Sequence, residues 1–243
     1  MTRLLLIDDD IEFCELLSEC LGSEGFELTP VHDGKEGLEQ ALAGRDLYDL
    51  IILDLMLPGM SGFEILRRLR SEFDKPVVMF TGRDQEFDRL IALEMGADDF
   101  IVKPCSAREF IARINAILRR AGGRSAHASV SGQSPIAVGD VVLDSNSRAV
   151  RRNGEVLYLT SVEFNLLHAL LEAAGRVVPR ERLASQVLGR DLSAYDRSLD
   201  VHVSRLRKKL GHKFNGIERI KTVRKVGYLY ALPQILEQRV RHD

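Results

Sequence analysis

Apolar and polar positions in the first 120 residues follow two alternating periods. Short continuous apolar runs stand at Leu4–Ile7, Leu50–Leu53, Val77–Phe80 and Phe100–Val102, with a weaker one at Phe26–Val31. Between them the pattern becomes that of an amphipathic helix, over Ile11–Leu21, Lys35–Ala43, Gly62–Leu69, Gln85–Met95 and Ala107–Leu118. Strands apolar on both faces, alternating with helices, predict a parallel sheet covered on both sides. Five such units fit an α/β domain at residues 1–120.

Residues 121–135 are rich in Gly and Ser and offer no apolar face, which predicts a flexible linker. A different style follows. Val138–Leu143, Ala149–Arg152 and Val156–Leu159 alternate as short antiparallel strands, with Asn153-Gly154 turning the last two. Thr160 caps a helix, with Glu163 as its capping-box partner, and the helix runs to about Ala173 before Gly175. A second helix is expected from Pro179 to near Gly189, and a third from Arg197 to Leu210, stopped by Gly211. Two β segments, Ile220–Val223 and Tyr228–Ala231, complete an α+β domain at 136–232 and leave a tail at 233–243. No internal repeat is visible.

A hydrophobic content of 45% and a charged content of 29% are those of a globular protein. No apolar run approaches the ~20 residues that a membrane helix needs. The opening Met1–Asp10 is not a signal peptide, so a cytoplasmic protein is expected. Cys14, Cys20 and Cys105 have neither disulfide-framework nor metal-site spacing and read as small apolar residues. The net charge of −2 conceals an asymmetry: residues 1–122 carry 14 basic and 24 acidic side chains, a net of −10, and the remainder carries +8. An acidic half suggests a cation site, and a basic half a polyanion partner.

The acids cluster at strand ends. Asp8, Asp9 and Asp10 follow the first strand, and Asp54 ends the third. Ligands of open parallel sheets bind at the carboxyl ends of strands, where strand order reverses, so strands one and three, if adjacent, bring Asp8 or Asp9 to Asp54. Clustered carboxylates favour a hard cation, and Mg2+ suits them. The ion keeps Asp54 ionised for attack on a phosphoryl group. Two more strand ends offer the hydroxyl of Thr81 and the ammonium of Lys103. A single acid here is as readily a helix cap, Asp9 or Asp10 for the helix from Ile11, but the set of four strand ends is not explained by capping.

These residues carry a resemblance. Leu6–Asp10, Leu53–Gly62, Phe80–Arg83 and Gly96–Pro104 are similar to the motifs of response-regulator receivers, over residues 1–120. The resemblance implies a flavodoxin-like (βα)5 fold, with Asp54 the phospho-acceptor and Asp8, Asp9, Asp54 and the backbone carbonyl of Met56 the Mg2+ ligands. It implies that Thr81 and Lys103 hold phosphoryl oxygens, that Thr81 and Phe100 form the conformational switch, and that the Lys103–Pro104 bond is cis.

In the basic half, Leu199, Val203, Leu206 and Leu210 form the apolar stripe of the third helix, and Arg197, Ser198, Arg205 and Lys208 project elsewhere. A basic helix face alone is usually a solvated surface. Here a preceding short helix and turn give helix-turn-helix order, and a basic hairpin over Lys221–Tyr228 follows. Leu159–Leu167, Arg197–Val203 and Val223–Tyr228 resemble the winged helix-turn-helix effector of OmpR/PhoB-type response regulators. The resemblance implies a leading four-stranded sheet, a recognition helix from Arg197 with Arg205 reading bases, and a minor-groove contact by Arg224. Arg197, Ser198, Arg205, Lys208 and Arg224 are therefore the candidate DNA residues. Val187–Leu192 before Asp196-Arg197 resembles the CpxR branch, which governs envelope-stress genes.

The same resemblance implies that a sensor histidine kinase supplies the phosphoryl group and that phosphorylation drives a homodimer through the face made by the receiver's fourth helix, fifth strand and fifth helix. Its products are promoter binding and contact with RNA polymerase, without enzymatic turnover. The face carries Arg89, Asp98, Asp99, Glu109 and Arg113, read as the pairs Arg89–Glu109 and Asp99–Arg113. Within one chain such pairs contribute about 0–1 kcal/mol, whereas across a symmetric interface they fix register. Two rival readings stand beside this one. A phosphatase using Asp54 as a covalent way-station needs a second acid that the sequence does not offer. A winged helix that binds only polymerase would lack the linear salt dependence of DNA binding.

Overall fold

The computed structural model of the chain describes residues 1–72, 75–121, 134–192 and 196–233. In the first domain strands and helices alternate as β1 (Thr2–Ile7), α1 (Ile11–Gly22), β2 (Phe26–Val31), α2 (Gly34–Ala43) and β3 (Leu50–Leu53). They continue as α3 (Gly62–Glu72), β4 (Val77–Thr81), α4 (Glu86–Met95), β5 (Asp99–Val102) and α5 (Ala107–Ala121). All pairings are parallel and the strand order is β2-β1-β3-β4-β5. The apolar runs reflect burial on both faces: Leu5 and Ile7 pack into one core, Leu4 and Leu6 into the other. Strand order reverses at β1, so the carboxyl ends of β1 and β3 lie side by side, with the Asp54 N–H donating to the Ile7 carbonyl at 2.9 Å.

The second domain opens with a four-stranded antiparallel sheet of β6 (Ile136–Val138), β7 (Val141–Asp144), β8 (Ala149–Arg152) and β9 (Glu155–Val156). The run expected as one strand over Val138–Leu143 is broken, because Gly139 takes a left-handed φ of 64° and turns β6 back on β7. Next come α6 (Ser161–Glu172), β10 (Val177–Pro179), α7 (Arg180–Val187) and α8 (Ser198–Leu210). A small β11 (Lys213–Phe214) and β12 (Ile217–Glu218) pair precedes β13 (Ile220–Val223) and β14 (Gly227–Tyr230), which form the wing. Pro179, expected as the first residue of a helix, ends β10, and this strand joins the wing as a third strand against β14. A side chain at Gly227 would put its Cβ 1.9 Å from the Val178 carbonyl oxygen, so this pairing requires glycine there. Most of the expected linker (122–133) and tail (234–243) lie outside the described residues. Among the described residues no helix is long and apolar enough to cross a membrane.

Candidate functional site

Asp10, not Asp9, caps α1: its side chain accepts from the Phe13 N–H at 2.9 Å. That leaves Asp8 and Asp9 for another task. Ligand atoms of Asp8, Asp9 and Asp54 all lie within 4.8 Å of one another, with Asp8 and Asp54 buried and Asp9 exposed. Asp54 is oriented by its own turn, its Oδ1 accepting from the N–H groups of Leu55 at 2.6 Å and Met56 at 3.3 Å. Its Oδ2 faces Lys103 Nζ at 3.3 Å, and Lys103 also bonds Asp8 Oδ2.

Burial works against the charge on Lys103, but the hydrogen bond and charge of Asp8, with Asp54 behind them, outweigh it and hold its pKa above the usual lysine value. Phe13 and Phe80 flank the ammonium, with ring centroids 4.4 and 5.5 Å from Nζ. Neither aromatic was singled out from sequence, because each reads simply as an apolar core position. Beneath the acids, the Cys14 thiol contacts the Asp8 carbonyl at 3.6 Å, and burial pushes its pKa up to about 12. Thr81 is fully buried at the adjacent strand end, where its carbonyl accepts from the Lys103 N–H at 2.7 Å. The Lys103–Pro104 bond is cis. Phe100 is buried, with the Arg89 guanidinium 5.7 Å from its ring centroid.

Three carboxylates offering hard oxygen donors, with a lysine balancing part of their charge, fit a site for Mg2+. Beside Asp54, the Met56 N–H takes part in orienting the carboxylate, and the carbonyl of the same residue was the ligand expected from the family likeness.

The face made by α4, β5 and α5 keeps the expected Asp99–Arg113 pair but not the expected Arg89–Glu109 pair. Arg113 takes both acids, Asp99 at 3.2 Å and Glu109 at 2.8 Å, while Arg89 lies over Phe100 in place of the expected pairing with Glu109. Asp98 turns inward, buried, and accepts from Arg70 at 2.7 Å and from the Val77 N–H at 2.9 Å.

The same face carries the second domain. Arg205, expected to project toward bases, donates to the carbonyls of Leu93 at 2.8 Å and Glu94 at 2.9 Å in the last turn of α4, and to Glu163 at 2.8 Å. It serves as a C-terminal cap for α4 supplied by another domain. Gly96 makes room, since a Cβ there would stand 3.1 Å from the guanidinium. Lys208 pairs with Glu94 at 2.9 Å, and Val201 packs into the core of the first domain. Arg190, before α8, bonds Asp196 and the Ser198 hydroxyl and lies 3.8 Å from Asp99. Ser198 is buried, not projecting. Arg197 and, at the wing tip, Arg224 are exposed.

A parallel-sheet domain with an acidic pocket, joined to a winged helix, defines a receiver coupled to a DNA-binding effector. Residues 4–115 match the family model of the response regulator receiver domain, and residues 154–230 match that of the C-terminal domain of transcriptional regulatory proteins. The chain is 42% identical over 231 residues to the transcriptional regulatory protein CpxR of Klebsiella pneumoniae, covering 94% of this chain and 98% of that one. It is 41% identical over 228 residues to the sensory transduction protein RegX3 of Mycobacterium bovis, with the same coverage. A solved mutant of RitR superposes with a TM-score of 0.74 at 27% identity, over 96% of this chain and 100% of that one, and so spans both domains. The chain belongs to the OmpR/PhoB-type two-component response regulators and is CpxR-like.

Proposed function

We propose that this regulator is switched by transfer of a phosphoryl group from a sensor histidine kinase to Asp54. The observation that carries this reading is the gathering of Asp8, Asp9, Asp54, Thr81 and Lys103 at the ends of four adjacent strands. A carboxylate oxygen of Asp54 attacks phosphorus as the bond to the kinase imidazole nitrogen breaks, and the electron pair leaves on that nitrogen. Asp8, Asp9, Asp54 and the Met56 carbonyl would hold Mg2+, which when bound neutralises charge among the acids and the phosphoryl oxygens. Lys103 turns from Asp8 to a phosphoryl oxygen, the Thr81 hydroxyl donates to another, and Phe100 follows Thr81.

The docking of α8 on α4 supports a resting form in which the effector covers the face used for dimerisation. Docking and dimerisation compete for α4 and for Asp99, so phosphorylation acts as a population shift between them. Two tethered effectors then bind neighbouring half-sites of promoter DNA at raised effective concentration, with Arg197 and Arg224 toward DNA and Lys208 free to join them once it leaves Glu94. Arg205 joins them once released from α4. On the resemblance of its sequence to the CpxR branch, we extend the proposal to control of envelope-stress genes, action in the cytoplasm and contact with RNA polymerase.

Treating the full chain with an acyl phosphate and Mg2+ tests this. Intact mass should show one added phosphoryl group on the wild type and none on Asp54→Asn, with sedimentation showing a dimer only for the former. A dimer formed equally by Asp54→Asn after treatment would overturn the reading.

A further inference from the structure

The wing and α8 are tied together at one junction that neither the acidic pocket nor the domain interface uses. Arg180, the first residue of α7, sits at its centre. Its backbone N–H donates to the Val226 carbonyl at the wing tip at 3.0 Å. Its guanidinium grips Asp200 of α8 through two parallel hydrogen bonds, Nη1 to Oδ1 at 2.6 Å and Nη2 to Oδ2 at 2.7 Å. Nη1 also lies 3.1 Å from the hydroxyl of Tyr228 on β14, and that hydroxyl donates to Asp200. From α8, Arg207 donates to the Ile220 carbonyl at 2.7 Å and to the Thr222 hydroxyl at 2.8 Å, at the base of the wing. The two guanidinium carbons stand 5.9 and 6.0 Å from the centroid of the Tyr228 ring.

The charges explain why these residue types occur together. Asp200 is in the first turn of α8, where a carboxylate suits the helix dipole. On a helix that approaches DNA, a bare carboxylate would also repel phosphates. Arg180 neutralises it, and a bidentate fork has one geometry, so neutralisation also fixes direction. Tyr228 is buried, and burial followed by the Asp200 hydrogen bond pushes its hydroxyl pKa up to about 12, which keeps it a donor. The close approach of Gly227 to Val178 presses β14 against β10, the strand that leads directly into Arg180.

We propose that Arg180, Asp200, Tyr228 and Arg207 are positioning residues that set the span between Arg224 at the wing tip and Arg197 at the start of α8, so that minor-groove and major-groove contacts are presented by one rigid unit. The proposal rests on the reading that the effector binds duplex DNA through these two elements. A double-mutant cycle on the acyl-phosphate-treated full chain tests it, using a duplex selected from random-sequence DNA by the wild type. Arg224→Ala is expected to lower affinity about 10-fold in the wild-type background and only about 2-fold in Tyr228→Phe, the coupling seen between groups of one network. Tyr228→Phe should also lose minor-groove protection in a hydroxyl-radical footprint while guanine N7 protection in the major groove persists. Should Tyr228→Phe not fold by thermal unfolding, Arg180→Lys, which keeps the charge but loses the fork, enters the same cycle. Equal losses in both backgrounds would overturn the junction alone. No loss from Arg224→Ala in the wild type would instead overturn the wing contact, and the junction with it.

Discussion

Gly62 shows how tightly single residues constrain the acidic pocket. A Cβ there would stand 2.1 Å from the Asp54 carbonyl oxygen and 2.8 Å from Leu55 Cα, backbone atoms that no rotamer change can move. Gly62→Ala should therefore displace the turn after β3 and slow phosphoryl uptake by Asp54 by about 10-fold or more, although no acid is replaced. Uptake at the wild-type rate, followed by intact mass, would refute this. Asp196 makes a second case. Burial opposes its ionised form, but hydrogen bonds from Arg190 and Ser198 hold its pKa down at about 2. A depressed folded-state pKa contributes stability above the unfolded value near 3.8, and that contribution is lost as pH falls toward 2. With solvent screening discounted, about 1–2 kcal/mol is at stake, and Asp196→Asn should flatten the acid limb of stability measured by urea unfolding. The acids of the pocket were legible because each closes an apolar run. Gly62 was not, since its role depends on what the β3–α3 turn packs against.

At the scale of elements, the start of α6 is the clearest join between sequence and structure. Thr160 and Glu163 form the capping box that their spacing implies. Glu163 does more: it is fully buried and also pairs with Arg205 at 2.8 Å and Lys209 at 2.6 Å, both on α8. Burial opposes its charge, but these two cations outweigh it and hold its pKa below the ordinary glutamate value. Thr160→Ala should cost about 1 kcal/mol, the usual worth of a cap. Glu163→Ala should cost about 3 kcal/mol, because it also strands two partly buried cations. Equal losses for the two variants in denaturant unfolding would show that Glu163 acts only as a cap. The cap was legible because it is local; the ion pairs join residues more than 40 positions apart.

For the whole molecule, the decisive feature is that α8 is buried on two sides. Leu199, Val203, Leu206 and Leu210 face their own core, the stripe visible in the sequence, while Val201 enters the core of the other domain. If docking restrains the effector, loosening it from the receiver side should raise DNA affinity without phosphorylation. Glu94→Lys places a cation against Lys208 and leaves the effector unaltered. The unphosphorylated variant should bind duplex DNA about 10-fold more tightly than the wild type in a gel shift, a population shift worth about 1.4 kcal/mol. Unchanged affinity would mean that docking does not limit binding.

The change of style between the two halves, the order and type of most elements, and the acids that close the apolar runs are all legible in the chain. Hydrophobic period, turn residues and capping pairs act over a few positions and leave their mark in the order of the chain. It took the folded molecule to show that Arg205 caps α4, that Ser198 and Asp98 turn inward, that Arg113 takes Glu109 as well as Asp99, and that Arg180 joins α8 to the wing. An arginine bound to carbonyls in another domain has the same letter and the same neighbours in sequence as one exposed to solvent. The difference lies in which surfaces are brought into contact, and no local period records that.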